Sequence, residues 1–309
     1  MKSVMIFGAG QAGRMIAKSL PADCVLTAYI DNNRALQGTV IDSVPVISIN
    51  EALAGDGGRP DEIRLAVINR EAGPGIEKQI RETGFSGEIH TVHEMRDLID
   101  VRLAALRLIA DQIRERNAAG QTAELGVYQG AFAAEISRLF PDRRLYLFDT
   151  FEGFDEQDLA SEKEIGGRNA HAKPGDFSDT SAEYVIARLP HPEQAYICKG
   201  RFPDSLWDGA YHAGGERAAG LPAHITGEEM VREKYALVSL DTDLYEPTLS
   251  GLQFFWPRLS PGGAIILHDY NSAQYPGVHR AALEYAEEEG IYPVPLMDIH
   301  GTAVFIKGE

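Results

Sequence analysis

Short apolar runs alternate with amphipathic segments along most of the chain. Val4-Met5-Ile6-Phe7 reads as a buried strand, Arg14 to Leu20 as a helix and Val25 to Ile30 as a second strand. Thr39 to Val46 suits a short hairpin or strand before a helix that starts near Asn50. Ile63 to Ile68 predicts a further strand, and Ile76 to Glu82 a further helix. Such alternation predicts a small parallel α/β domain ending near residue 92. From 93 to 119 the period changes: Ile99, Leu103, Leu106, Ile109 and Ile113 recur at helical spacing, which predicts a connecting helix packed between two domains.

The strand–helix rhythm restarts at Thr122 to Val127 and continues with a helix over Phe132 to Phe140 and a strand over Arg144 to Phe148. Glu156 to Asp179 is polar and broken by Gly166-Gly167 and Pro174-Gly175, which predicts a lid or substrate loop. Ser181 to Leu189 reads as helix, Ala195 to Lys199 as strand, and Gly209 to Glu229 as irregular. Tyr235 to Leu240, Ala264 to Leu267 and two terminal strands near Tyr292–Pro295 and Thr302–Ile306 alternate with helices over Pro247 to Trp256 and Val278 to Glu289. The pattern is α/β with two Rossmann-like domains, the second (120–309) a doubly wound sheet whose last strand is reversed.

Composition narrows the classes. The net charge of −17 and the lack of a Lys/Arg stripe argue against nucleic acid and anionic lipid as partners. No apolar run approaches the ~18–20 residues that cross a bilayer. The opening MKSVMIFGAG meets a glycine turn too early for a signal peptide. Cys24 and Cys198 form neither a CxxC pair nor a disulfide framework, so a reducing cytoplasm is expected.

Two glycine turns carry candidate chemistry. Gly8-x-Gly10-Gln11-x-Gly13 lies between strand and helix, with Asp31 at the end of the next strand, the arrangement that brings backbone to a diphosphate and a carboxylate to a ribose diol. NAD(P), another nucleotide, or a tight turn that binds nothing all fit it. The second turn, Glu124-Leu125-Gly126-Val127-Tyr128-Gln129-Gly130, opens with an acid, as many methyltransferases do. Asp149, followed by Thr150, ends the next strand and can accept from a ribose 2′,3′-diol. Further on, Asp241-Thr242-Asp243 and His268-Asp269 stand at the ends of two successive strands, where such sheets place ligands.

The wording of both halves resembles known families. IFGAGQAGRMIAKSL and AYIDNNRALQGTVIDSVPVIS resemble the Rossmann-like domain at the front of bacterial polysaccharide sugar-modifying enzymes, which implies a nucleotide or nucleotide-sugar on Gly8, Gly10, Gln11, Gly13 and Asp31. ELGVYQG, FDTFEGF, DFSDT, KGRFPDSL, SLDTDLYEPTLSGL, SPGGAIILHDY and GVHRAALEYAEEEGI…DIHGTAVFIK, in order over 120–309, resemble the macrocin O-methyltransferase family, which methylates sugar hydroxyls. The resemblance implies S-adenosylmethionine on Glu124, Gly126, Tyr128, Gly130, Asp149 and Thr150, and Mg²⁺ or another divalent metal on Asp241, Asp243 and Asp269. His268 and Asp243 become candidates for catalysis. Where the family often has two adjacent acids this chain has His268-Asp269, so His268 is a softer metal ligand, a general base, or a residue turned away. His279 and His300 are further base candidates. Phe202 and Trp207 pack near the adenine or lid, or simply in the core. The expected enzyme acts on a small-molecule sugar acceptor in polysaccharide or glycoside synthesis as a cytoplasmic homo-oligomer. The alternative is an NAD(P)-dependent sugar-nucleotide oxidoreductase or epimerase.

Overall fold

The computed structural model describes residues 1–53, 59–94, 100–167, 171–213, 221–298 and 301–308. The chain divides into two compact units, one formed mainly by Met1–Asp100 and the other mainly by Val101–Leu296 with the C-terminal residues.

The first unit holds a six-stranded sheet. Its strands are β1 (Lys2–Phe7), β2 (Cys24–Ile30), β3 (Val40–Ile41), β4 (Val44–Ile47), β5 (Glu62–Leu65) and β6 (Glu88–Thr91), in the order β3-β4-β2-β1-β5-β6. Only β3 and β4 pair antiparallel, as the hairpin reading of 39–46 expects. The central strands are buried on both faces, which is why they read as continuous apolar runs rather than alternating ones. Their ladder passes through Ile6, Ile30 and Ile63, all fully buried. Strand β6 went unread because its sequence, EIHT, offers a single large apolar residue.

The second unit is a nine-stranded sheet. Its strands are β7 (Gln121–Leu125), β8 (Leu145–Asp149), β9 (Ala195–Lys199), β10 (Ala210–His212), β11 (His224–Ile225), β12 (Tyr235–Leu240), β13 (Leu259–Leu267), β14 (Val294–Pro295) and β15 (Ala303–Ile306). They lie in the order β11-β10-β9-β8-β7-β12-β13-β15-β14. The five from β9 to β13 in that row are parallel, while β15 runs antiparallel to β13, the reversed strand. The order turns back between β7 and β12, the switch point at which a doubly wound sheet opens its crevice.

Three segments differ from the expected ones. Val101–Glu115 is the helix expected over 93–119, and it lies in the second unit. There Leu106, Ala110 and Ile113 are fully buried in a cluster with Phe132, Ile136, Leu237 and Ile266. The start of the expected range, 95–99, lies outside the described residues.

The polar stretch from Glu156 begins as a helix, Glu156–Gly166, capped by Asp155 through the Gln157 amide. It escaped an apolar-periodicity reading because two of its inward residues are acids, Asp158 and Glu162. Asp158 is paired with Arg201 at 2.7 Å. Glu162 accepts from the amides of Tyr245 and Gly277, at 3.0 Å each. Those amides open two helices, Tyr245–Phe255 and Pro276–Glu289.

The stretch 209–229, expected to be irregular, contains β10, β11 and the helix Gly227–Arg232. That helix is opened by a capping box between Thr226 and Glu229, a signal present in the sequence. No helix among the described residues is long and apolar enough to cross a membrane.

Candidate active site

The carboxyl ends of β7, β8, β12 and β13 converge on one edge of the second sheet. After β7 the chain must turn sharply beside β12. Gly126 adopts φ +82°, and a Cβ there would collide with the carbonyl oxygen of Asp241, so only glycine lets the two strand ends meet. The Gly126 amide donates to Phe148 and the Asp241 amide to Leu125, tying three strand ends together.

Asp149, at the end of β8, is turned into this loop. Its Oδ2 accepts from the amides of Val127 (2.6 Å) and Tyr128 (2.9 Å), and its Oδ1 from the amide of Phe151 (2.7 Å). Thr150 Oγ1 donates to the Gly153 carbonyl at 2.6 Å. Tyr128, at φ +48°, donates from its phenol to Asp179, and its carbonyl accepts from Thr180 Oγ1, so the DFSDT segment straps across the glycine loop. Gly130 sits in the left-handed region at the start of the helix Ala131–Leu139. The six residues expected to hold the cofactor are therefore brought together around one loop.

Glu124 is 1 % exposed and its Oε2 has no hydrogen-bond partner. Burial pushes its carboxyl well above the usual carboxylate range. Among the described residues it is the one acid with a solvent-inaccessible side-chain oxygen that lacks a hydrogen-bond partner.

Beside it stands the acidic cluster. His268 Nδ1 is 2.8 Å from Asp241 Oδ1 and 2.7 Å from Asp269 Oδ2. Asp241, His268 and Asp269 can each offer a ligand atom, all within 4.8 Å of one another. Asp243 is absent from that group of three, so the structure puts His268 where a third acid was expected. Asp243 lies against Asp269, hydrogen-bonded to it. Both have left-handed backbone, φ +59° and +54°, a conformation uncommon for residues other than glycine, although aspartate tolerates it better than most.

The electrostatics follow from this crowding. Burial opposes the Asp241 carboxylate, but Arg102 and His268 outweigh it and hold the group below the usual range. Burial likewise opposes the His268 imidazolium, yet Asp241 and Asp269 outweigh burial and the repulsion of Arg102, raising His268 to about 10. Burial, with the charges of Asp241 and Asp269, pushes Asp243 up, in keeping with a proton shared with Asp269. A nitrogen and two carboxylate oxygens this close suit a divalent cation once the proton on His268 Nδ1 has left.

Arg102 was not read from the sequence. It lies in a helix 139 residues from its partner, and no local pattern marks it. Other expected residues have plainer roles. His279 Nδ1 donates to the Tyr270 carbonyl at 2.8 Å. Phe202 is buried against Phe148 and Phe255, whereas Trp207 is 69 % exposed. His300 lies outside the described residues.

The glycine turn of the first unit has the same build. The Gly8 amide donates to Ile30, and Asp31 accepts from the Ala9 and Asn33 amides at 2.8 Å each. A Cβ on Gly13 would collide with the Gly8 carbonyl, so this glycine lets the helix Gln11–Lys18 pack on the turn. A Cβ on Gly10 would meet open space.

Residues 225–308 match the family model described as Macrocin-O-methyltransferase (TylF). Two curated relatives match most of the chain. One, from Streptomyces olivaceus, is the 8-demethyl-8-(2,3-dimethoxy-alpha-L-rhamnosyl)-tetracenomycin-C 4′-O-methyltransferase. It is 29% identical over 226 residues, which is 70% of this chain and 74% of the relative. The second, the mycinamicin III 3″-O-methyltransferase of Micromonospora griseorubida, is 25% identical over 69% of this chain and 78% of its own. The chain is an O-methyltransferase. The family resemblance read from the sequence is to the family whose model matches. Among solved structures, the calicheamicin methyltransferase CalS11 shares this methyltransferase's fold at TM-score 0.51 and 17% identity, over 84% of this chain and 90% of that one. The oxidoreductase alternative gains no support from these matches.

Proposed function

We propose that this methyltransferase moves the methyl group of S-adenosylmethionine to a sugar hydroxyl, on a nucleotide-linked sugar or a glycoside, with a divalent cation beside the acceptor. The observation that carries this reading is the adjacency of two devices at one sheet edge: the Glu124–Gly130 loop closed by Asp149, and the Asp241–His268–Asp269 cluster. The relatives' activities, on a rhamnosyl-tetracenomycin and on mycinamicin III, support the acceptor class.

Glu124 would take the ammonium of the methionine moiety with its spare oxygen. Gly126, Tyr128 and Gly130 would offer backbone to the same moiety, and Asp149 with Thr150 would face the ribose. Asp149 can do so while holding the loop, because a carboxylate has about four acceptor sites and three are used by amides. Asp241, Asp269 and either His268 or Asp243 would hold the cation. When bound, the cation supplies a Lewis acid that lowers the pKa of a sugar hydroxyl. The hydroxyl oxygen then forms a bond to the methyl carbon as the sulfur–carbon bond breaks in line, leaving S-adenosylhomocysteine. The hydroxyl proton would pass to Asp243, the acid left outside a ligand set that includes His268, because a His268 outside that set keeps its own proton.

In the first unit, Gly8, Gly10, Gln11, Gly13 and Asp31 would bind a nucleotide or nucleotide-sugar, in keeping with polysaccharide building blocks as the context. The test is calorimetric titration of the full chain with S-adenosylhomocysteine, and separately with UDP, GDP, CDP and dTDP. S-adenosylhomocysteine binding that Asp149→Ala abolishes supports the cofactor assignment. No nucleotide binding at millimolar concentration would sink the first-unit assignment alone.

A further inference from the structure

We propose that Arg102 is a positioning residue for methyl transfer, clamping Asp241 so that one carboxylate oxygen faces the reacting centre. The inference rests on the methyltransferase reading above and deepens it. Arg102 Nη2 lies 3.0 Å from Asp241 Oδ2 and 3.5 Å from Ser239 Oγ, while the other Asp241 oxygen meets His268. The two oxygens of Asp241 are thus given different duties, one structural and one turned to the cluster.

The guanidinium is itself held. Its carbon sits 4.0 Å from the centroid of Phe132, in the first turn of the helix that follows Gly130. The side chain is 16 % exposed. Its backbone opens the helix Val101–Glu115, whose buried face is locked in the core. A flat cation can lie on a ring and present N–H donors edge-on to a carboxylate at the same time, which an ammonium cannot. Arg102 therefore ties the cofactor-loop helix to the acid-bearing end of β12, and fixes the acceptor side of the site relative to the methyl donor.

The test compares the full chain with Arg102→Ala and Arg102→Lys on the nucleotide-sugar that the parent methylates most rapidly. Alongside turnover, S-adenosylhomocysteine affinity is measured by calorimetry and folding by thermal melting. Arg102→Ala should lose about 10- to 100-fold in kcat, the usual cost of removing an outer-shell partner. Its melting and its S-adenosylhomocysteine affinity should stay near the parent's, and millimolar guanidinium should restore turnover. Arg102→Lys should keep less activity than guanidinium-rescued Arg102→Ala, because charge without the stacked fork does not orient the carboxylate. A folded Arg102→Ala with parental kcat, a loss confined to cofactor affinity, or a lack of rescue overturns the proposal. Should the alanine variant not fold, parental kcat in Arg102→Lys overturns it. If the parent methylates no acceptor, the proposed function fails instead, and the two failures are distinct.

Discussion

Asp149 Oδ2 accepts the Val127 amide at 2.6 Å. This one bond fixes the turn after β7 to the end of β8, and the Tyr128 amide shares the same oxygen. An asparagine can present one oxygen to these amides but sets an NH₂ group against the Phe151 amide or against theirs. Asp149→Asn should therefore destabilise the second unit by about 1.5–3 kcal/mol, the range for hydrogen bonds to a charged group. It should also weaken S-adenosylhomocysteine binding. Denaturant melts and calorimetry on the same preparation check both; an unchanged melt with unchanged affinity would remove Asp149 from the account.

Gly126→Ala should be far more damaging. The left-handed φ of +82° strains any L side chain, and the added carbon would enter the space of the Asp241 carbonyl. The strand ends would have to part, at a cost of about 3 kcal/mol or more. Circular dichroism should show loss of cooperative melting in the second unit. A variant that melts like the parent would mean the two strand ends are not packed as described.

Glu162 accepts one amide from each of two helix starts, so its carboxylate clips the helix Glu156–Gly166 onto them. Glu162→Gln keeps the shape but turns a donor toward one of the two amides. The expected loss is about 1–3 kcal/mol for the buried group left unsatisfied, seen as a lower denaturation midpoint. Burial raises the folded pKa of Glu162 above its ordinary 4.5, the two amides only partly offsetting it. The folded state therefore binds more protons than the unfolded state just above pH 4.5, and the contribution of Glu162 falls as pH rises through that window. Glu162→Gln should flatten this slope; a slope identical to the parent's would contradict the assignment.

His268 gives the opposite residue type and a different window. Its folded pKa, about 10, exceeds the ordinary 6.5. Its stabilising contribution is complete below 6.5 and is lost as pH rises through about 10. In chelator, parental melting should fall across that interval and His268→Gln should not. Because a cation bound to the cluster would displace the His268 proton, Mn²⁺ binding near neutral pH should release about one proton. Titrations in buffers of different ionisation enthalpy measure this. No proton release would mean that His268 stays protonated and outside the ligand set.

The sheet edge was legible because its information is local. Glycines at 126 and 130, acids at 124, 149, 241 and 269, and the apolar strands before them announce where ligands would lie. The helix Glu156–Gly166 was not legible, since its buried face includes Asp158 and Glu162, which look like solvent residues until their partners Arg201, Tyr245 and Gly277 are placed. Arg102 was hidden for the same reason: its meaning depends on Asp241, brought near only by the fold. His268 was legible only as one of three options, while the resemblance gave the metal to Asp241, Asp243 and Asp269; the structure sets its Nδ1 beside Asp241 and Asp269.

The most direct test of the central claim is mass spectrometry of a nucleotide-sugar and glycoside panel incubated with methyl-deuterated S-adenosylmethionine, with Mg²⁺, with Mn²⁺ and with chelator. The account predicts a labelled methyl group on one sugar hydroxyl, formed with a divalent ion and lost with chelator or Asp269→Ala. Label appearing on no sugar with any ion would contradict sugar O-methylation, and label formed at the full rate in chelator would contradict the role given to the cation.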